Sequence, residues 1–202
     1  MKSNLYALIY AALLGLACAM LPTAVGIYTT PFRQANEKAE EIRNILEVLE
    51  IPYSKKLTSQ QLVTLYEKNV SVRDMHNLKM YVSGTGDIKI SAVRFAGAGI
   101  WGPIKGFLAL RPDMKTINGI SFYQQEETPG LGGEIGTPAF RNQFKGKLVV
   151  DESGKPGFHI RRNNAKGRNE VDGISGATLT CGKVELILNS VIGQITKECS
   201  NE

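Results

Sequence analysis

Hydrophobic and polar positions follow three different rhythms along the chain, and each predicts a different kind of element. From Leu5 to Tyr28 there is no charged residue at all. As a helix rising about 1.5 Å per residue this stretch reaches roughly 36 Å, enough to cross about 30 Å of bilayer hydrocarbon with some tilt. Pro22 falls in its outer third, and Tyr6, Tyr10 and Tyr28 lie toward its ends, where interfacial aromatics sit. A cleaved leader has an apolar core of about 7 to 15 residues and a small-residue exit. This run is longer and has no such exit, so it reads as an uncleaved anchor. Lys2 precedes it, while Arg33, Lys38 and Arg43 follow it interleaved with Glu37, Glu40 and Glu41, which leaves orientation open.

A helical period comes next. Ala35, Ala39, Ile42, Leu46 and Leu49 recur at intervals of three and four, predicting an amphipathic helix that starts at Pro31 and ends before Pro52. A flexible tether over residues 28–31 would separate it from the span. A shorter helix is expected over Ser59 to Lys68, capped by Thr58 or Ser59, with Leu62, Leu65 and Tyr66 inward.

From Met80 the rhythm becomes that of strands. Met80 to Ser83, Ile88 to Phe95, Ile104 to Leu110 and Thr116 to Gln124 are short apolar or alternating runs separated by Gly, Pro and Asp. A short helix is predicted over Pro138 to Phe144, then strands at Lys147 to Val150 and Phe158 to Arg162. A closing helix from about Cys181 to Glu198 has Val184, Ile187, Val191 and Ile195 on its inner face. The fold class is α+β: a transmembrane anchor (residues 1–30), a helical connector (31–69) and one domain (70–202) with a twisted, mainly antiparallel sheet flanked by helices. In a continuous closing helix, Cys181 and Cys199 lie roughly 27 Å apart, beyond the reach of a disulfide.

Composition narrows the function classes. The chain has 202 residues, is 43% hydrophobic and 21% charged, and contains 21 Gly and 8 Pro, which excludes a disordered or collagen-like chain. A net charge of +5 arises from scattered Lys and Arg, without the dense basic run of a nucleic-acid binder. Three Cys without a CxxC pair and only two His give no metal-site spacing. His76 and His159 read as ordinary surface residues.

Two segments carry candidate chemistry. Asp172-Gly-Ile-Ser-Gly-Ala-Thr178-Leu-Thr180 brings small residues and hydroxyls to a helix start, where backbone amides and the helix dipole favour a phosphate. The same residues suit plain helix capping, with Ser175 or Thr178 as cap. Glu126-Glu-Thr-Pro-Gly-Leu-Gly-Gly-Glu-Ile135 is a Gly-rich loop after a strand, with neither a dinucleotide fingerprint nor a P-loop pattern. It reads either as a connecting loop or as flexible backbone laid against a planar ligand.

The string Asp172 to Thr178 resembles the D-x-x-[ST]-G-A-T flavinylation signature of the FMN-binding domain family. Further agreement comes from Pro31 to Leu49, Gly99-Ile-Trp-Gly102 leading to Gly106-Phe-Leu-Ala-Leu110, Gly119-Ile-Ser-Phe-Tyr123, and Glu127 to Ile135. The resemblance implies FMN joined through its phosphate to the Thr178 hydroxyl by a dedicated flavin transferase, and an electron relay without catalytic residues of its own. It also implies that Asp172 serves the transferase or fixes the loop, that Ser175, Gly176 and Ala177 shape the turn, and that Leu179 and Thr180 continue the phosphate cradle. Glu127, Thr128, Gly130 and Leu131 would lie on the ring side. Trp101, a single tryptophan after Gly-Ile, reads as a packing anchor in preference to a side chain stacked near the flavin. The wording is most similar to C subunits of sodium-translocating NADH:quinone reductases, and G subunits of Rnf-type ferredoxin:NAD oxidoreductases share the architecture. Either implies a single-pass protein of a bacterial inner membrane, with neighbouring subunits of a redox pump as partners and the flavin domain on the periplasmic or extracellular side.

Overall fold

The computed structural model describes residues 2–54, 56–75, 78–84 and 89–199. His76 and Ile88, the latter the first residue of an expected strand, lie outside them. The chain divides into two compact units, Met1–Ala39 and Glu40–Glu202.

Helix α1 runs over Lys2–Val48, with both Pro22 and Pro31 inside it. Residues 28–31 are therefore helix, not a tether, and no new helix starts at Pro31. Threonine hydroxyls fit this: Thr29 donates to the Val25 carbonyl at 2.8 Å and Thr30 to the Gly26 carbonyl at 2.7 Å, adding bonds beside the turn that Pro31 deprives of an N–H. The stretch from Leu5 is long and apolar enough to cross a membrane.

In the second unit, the last turns of α1 bury Ile42, Ile45, Leu46 and Leu49. They end in a Schellman-type closure, with Ile51 N–H on the Leu46 carbonyl (2.9 Å) and Glu50 N–H on the Glu47 carbonyl (3.1 Å). Helix α2, Ser59–Asn69, begins with a capping box: the Thr58 hydroxyl accepts from Gln61 N–H while the Gln61 side chain accepts from Thr58 N–H.

Five strands then form an antiparallel meander in sequence order: β1 (Val70–Met75), β2 (Leu78–Ser83), β3 (Ser91–Ala98), β4 (Pro103–Leu110) and β5 (Ile117–Gln124). The strand expected at Ile88 to Phe95 is found about three residues later, as β3, the other three expected strands match β2, β4 and β5 to within two residues, and β1 is an addition to the predicted pattern. Alternation sends Val93, Phe95, Leu108, Ile120 and Phe122 into one core, while Ala92, Phe107 and Ala109 are buried on the opposite face. The Arg94–Glu41 ion pair at 3.7 Å and the Asn118 amide on the Val48 carbonyl at 3.4 Å tie the end of α1 to β3 and β5.

After β5, a 3-10 turn (Gly132–Gly136), helix α3 (Pro138–Arg141) and a second 3-10 turn (Asn142–Phe144) cover the sheet end. The expected strand at Lys147 to Val150 is reduced to isolated bridges, Thr116 with Leu148 and Val150 with Pro156. The strand expected at Phe158 to Arg162 is β6, His159–Arg161, and it pairs in parallel with β7, Glu170–Asp172. Helix α4, Thr178–Cys199, closes the core with Val184, Ile187, Leu188, Val191, Ile192 and Ile195. It begins at Thr178 itself, three residues earlier than its apolar period indicates.

Candidate functional site

Strand β7 delivers the chain to the head of α4, and side chains from α4 hold its partner strand. Glu185 accepts from the Ile160 N–H at 2.7 Å, and Asn189 accepts from the Phe158 N–H at 2.7 Å and donates to the Phe158 carbonyl at 2.9 Å. The His159 Nδ1 lies 3.3 Å from the same Glu185 carboxylate. At the end of β7, Asp172 turns its carboxylate to the Ala165 N–H (2.8 Å), and its backbone is bracketed by the Gln143 amide. The Asp172 side chain thus holds the connection between β6 and β7 and lines neither cavity described below.

Between Asp172 and the helix the chain must reverse. Gly176 does so at φ +77, a conformation that a side chain disfavours. The residue flanking the helix is then Ala177, buried at 4%, whose carbonyl accepts the first helical bond from Cys181 at 2.9 Å. Neither the Ser175 nor the Thr178 hydroxyl forms a hydrogen bond, so neither is a cap. The N–H groups of Thr178, Leu179 and Thr180 lack intrahelical acceptors, as first-turn donors do, and the positive end of the helix dipole lies there.

The Gly-rich loop closes on this helix start. A cavity of about 320 Å³ is lined by Ile100, Trp101, Glu127, Thr128, Leu131, Gly132 and residues 176–180. Its apolar rim is open to solvent: Trp101 is 71% exposed, Leu179 73%, Leu131 43% and Ile100 40%. Trp101 is therefore no packing anchor. Gly130 (φ +74) sits at the loop tip outside the lining. Ser175 faces a second cavity of about 500 Å³, shared with Arg161, Arg162, Asn163 and the other side of Thr178.

Glu127 joins the pieces. Its Oε1 accepts from the N–H groups of Ile100 (2.8 Å) and Trp101 (3.3 Å), and its Oε2 accepts from the Thr180 hydroxyl (2.6 Å). Burial pushes this carboxyl upward in pKa, but the Thr180 hydroxyl and the two backbone donors outweigh it and hold the group below the ordinary range. Thr180 is 5% exposed and its hydroxyl is committed to Glu127, so its side chain braces the loop and only its backbone N–H faces the open helix start. Periodicity and spacing alone gave no sign of the Ile100 and Trp101 amides or of the Glu127–Thr180 bond. Their one local signal is a tryptophan between glycines, a turn too short to bury it.

Residues 99–193, just under half of the chain, match the family model of the FMN-binding domain. The chain is 36% identical over 143 residues to the C subunit of the Na(+)-translocating NADH-quinone reductase of Vibrio anguillarum, an alignment covering 69% of this chain and 54% of that relative. It is 46% identical over 90 residues to the C subunit of the same reductase of Neisseria meningitidis serogroup A, covering 44% and 35%. It thus spans between about a third and a half of these curated relatives. The crystal structure of the corresponding C subunit from Parabacteroides distasonis superposes with a TM-score of 0.69 at 27% identity, covering 83% of this chain and 94% of that one. NqrC of Shewanella oneidensis, at 20% identity and a TM-score of 0.65, shares the fold.

Proposed function

We propose, with the FMN-binding domain at residues 99–193 as premise, that this chain carries one FMN esterified through its phosphate to the Thr178 hydroxyl and relays electrons within a membrane-bound sodium-translocating NADH:quinone reductase. The observation that carries this reading is the open start of α4. An unbonded, exposed threonine hydroxyl stands at the first position of a helix whose flanking residue is alanine, beside first-turn N–H groups without intrahelical acceptors. Such a start is unfavourable for a bare helix and suited to a phosphodiester.

The rest of the site fits the group in kind. Ile100, Trp101, Leu131 and Leu179 offer apolar surface for a flat aromatic ring, and the backbone at residues 176–177 is stripped of bulk beside the attachment oxygen. Maturation joins the Thr178 oxygen to the FMN phosphorus of FAD, releases AMP and passes the hydroxyl proton to a base of the flavin transferase. The bound flavin supplies the electron-accepting chemistry. The chain's residues hold the attachment point, offer an apolar rim to the ring and present the site to neighbouring subunits. The relatives named are all C subunits of the sodium-translocating reductase, which favours that complex over an Rnf-type one.

The apolar stretch from Leu5 anchors the protein in the membrane, with the second unit on the periplasmic or extracellular face. A covalent tether suits that location, where a dissociated flavin could not be replaced.

Coexpression with a flavin transferase, denaturing gel electrophoresis and intact-mass spectrometry test the proposal. The expected result is a fluorescent band and a mass exceeding the polypeptide by one FMN less one water. Both should vanish in Thr178→Val and persist in Ser175→Ala. Flavin that is lost in SDS would identify a noncovalent binder, and its absence beside an active transferase would leave a scaffold; either overturns the covalent reading.

A further inference from the structure

We propose that Glu127 is the positioning residue of the pocket beside Thr178: its carboxylate ties the Trp101 turn to the first turn of α4 and holds one fixed negative charge against the ring site. The inference rests on the flavin reading above and deepens it.

Three elements remote in sequence meet on this one side chain. Oε1 reaches the amides of Ile100 and Trp101, 27 and 26 residues away, and Oε2 reaches the Thr180 hydroxyl, 53 residues away. Trp101 and Thr178 line the same cavity, and Glu127 bridges the backbone of the one to the first helical turn that carries the other. The neighbouring backbone makes room for it. A Cβ on Gly132 would collide with the Thr180 hydroxyl and come within 3.0 Å of the Glu127 Cβ.

A packing role alone would not call for a charge here. Burying a carboxylate costs several kcal/mol unless donors compensate it, and an apolar side chain would fill the space more cheaply. Glu127 is only 4% exposed, its donors are two amides and a hydroxyl, and no basic side chain is among the residues lining the cavity. Its negative charge is solvated by dipoles and not cancelled by a cation. A charge held this way disfavours added negative charge nearby, and so lowers the reduction potential of a flavin seated in the pocket.

The test uses the full-length chain in detergent. Its single tryptophan is Trp101, which makes intrinsic fluorescence site-specific. In flavin-free protein, time-resolved anisotropy should show a larger amplitude of fast Trp101 motion in Glu127→Ala and an intermediate one in Thr180→Val. Glu127→Gln should match wild type, because the amide oxygen can accept from both N–H groups while its nitrogen donates to the Thr180 oxygen. In flavin-loaded protein, Glu127→Gln should raise the midpoint potential, a change that a purely structural side chain would not produce. The proposal is overturned if Glu127→Ala, or Thr180→Val where that variant does not fold, leaves Trp101 as restrained as in wild type. It is equally overturned if Glu127→Gln leaves the potential unchanged. Wild-type protein that stays bare beside an active transferase sinks the flavin reading instead, and the anisotropy measurements then decide the clamp by themselves.

Discussion

Two threonines, two positions apart at the head of α4, should respond oppositely to the same substitution. Thr180 is buried and donates to the Glu127 carboxylate at 2.6 Å, whereas Thr178 is exposed and bonds to nothing. Valine matches threonine in shape, so Thr180→Val removes the hydroxyl with little change of packing and leaves a buried carboxylate oxygen without its donor. A hydrogen bond to a charged group contributes about 1.5–3 kcal/mol. For a domain of this size, about 2 kcal/mol lowers the thermal midpoint by roughly 4–8 °C. Thr178→Val should stay within about 0.5 kcal/mol of wild type, as exposed substitutions do, while abolishing flavin attachment. Melting of flavin-free protein followed by far-ultraviolet circular dichroism measures both, and Thr180→Ser, which keeps the hydroxyl, should recover most of the loss. In a double-mutant cycle with Glu127→Gln the effects should be non-additive. The reasoning fails if Thr180→Val is as stable as wild type, or if Thr178→Val costs as much as Thr180→Val.

Other positions yield equally definite expectations. Glu50 holds φ +55 at the end of α1, and its ion pair with Lys145 is half exposed on both sides. Glu50→Gly should therefore be neutral or stabilise by up to about 1 kcal/mol, since backbone relief outweighs a surface pair; a clear loss in the melting midpoint would contradict this. Phe144 is fully buried between Phe140 and Phe158, with ring centroids at 5.2 and 5.1 Å, so Phe144→Ala should cost about 3–5 kcal/mol in denaturant unfolding. The depressed pKa of Glu127 contributes stability that is present above the ordinary carboxylate value of 4.5 and is lost as pH falls through the lower folded-state value. Glu127→Gln should flatten the acid limb of the stability profile in part, because Glu50 and Asp113 are also depressed and remain. An acid limb identical to wild type would refute it.

Whatever depends on near neighbours can be read from the order of residues. The charge-free run from Leu5, the three-and-four spacing of Ile42, Leu46 and Leu49, the inner face of α4 and the short apolar runs of β4 and β5 are all legible because neighbouring residues of a helix or strand share a recurring environment. The motif ending at Thr178 is legible for a similar reason, as a contiguous string. Folding in three dimensions sets what no local period encodes. The three-residue strand β7 exists only because β6 lies beside it, and β1 only because β2 does. Trp101 stands in solvent, where a tryptophan between glycines suggested an anchor. Ala177, rather than a hydroxyl residue, flanks α4, because the chain enters the helix earlier than its apolar positions begin. Glu127 becomes the centre of the site through donors 26 to 53 residues distant. Whether a buried carboxylate is a liability or a brace depends on which polar groups the fold brings to it, and only the folded chain brings them.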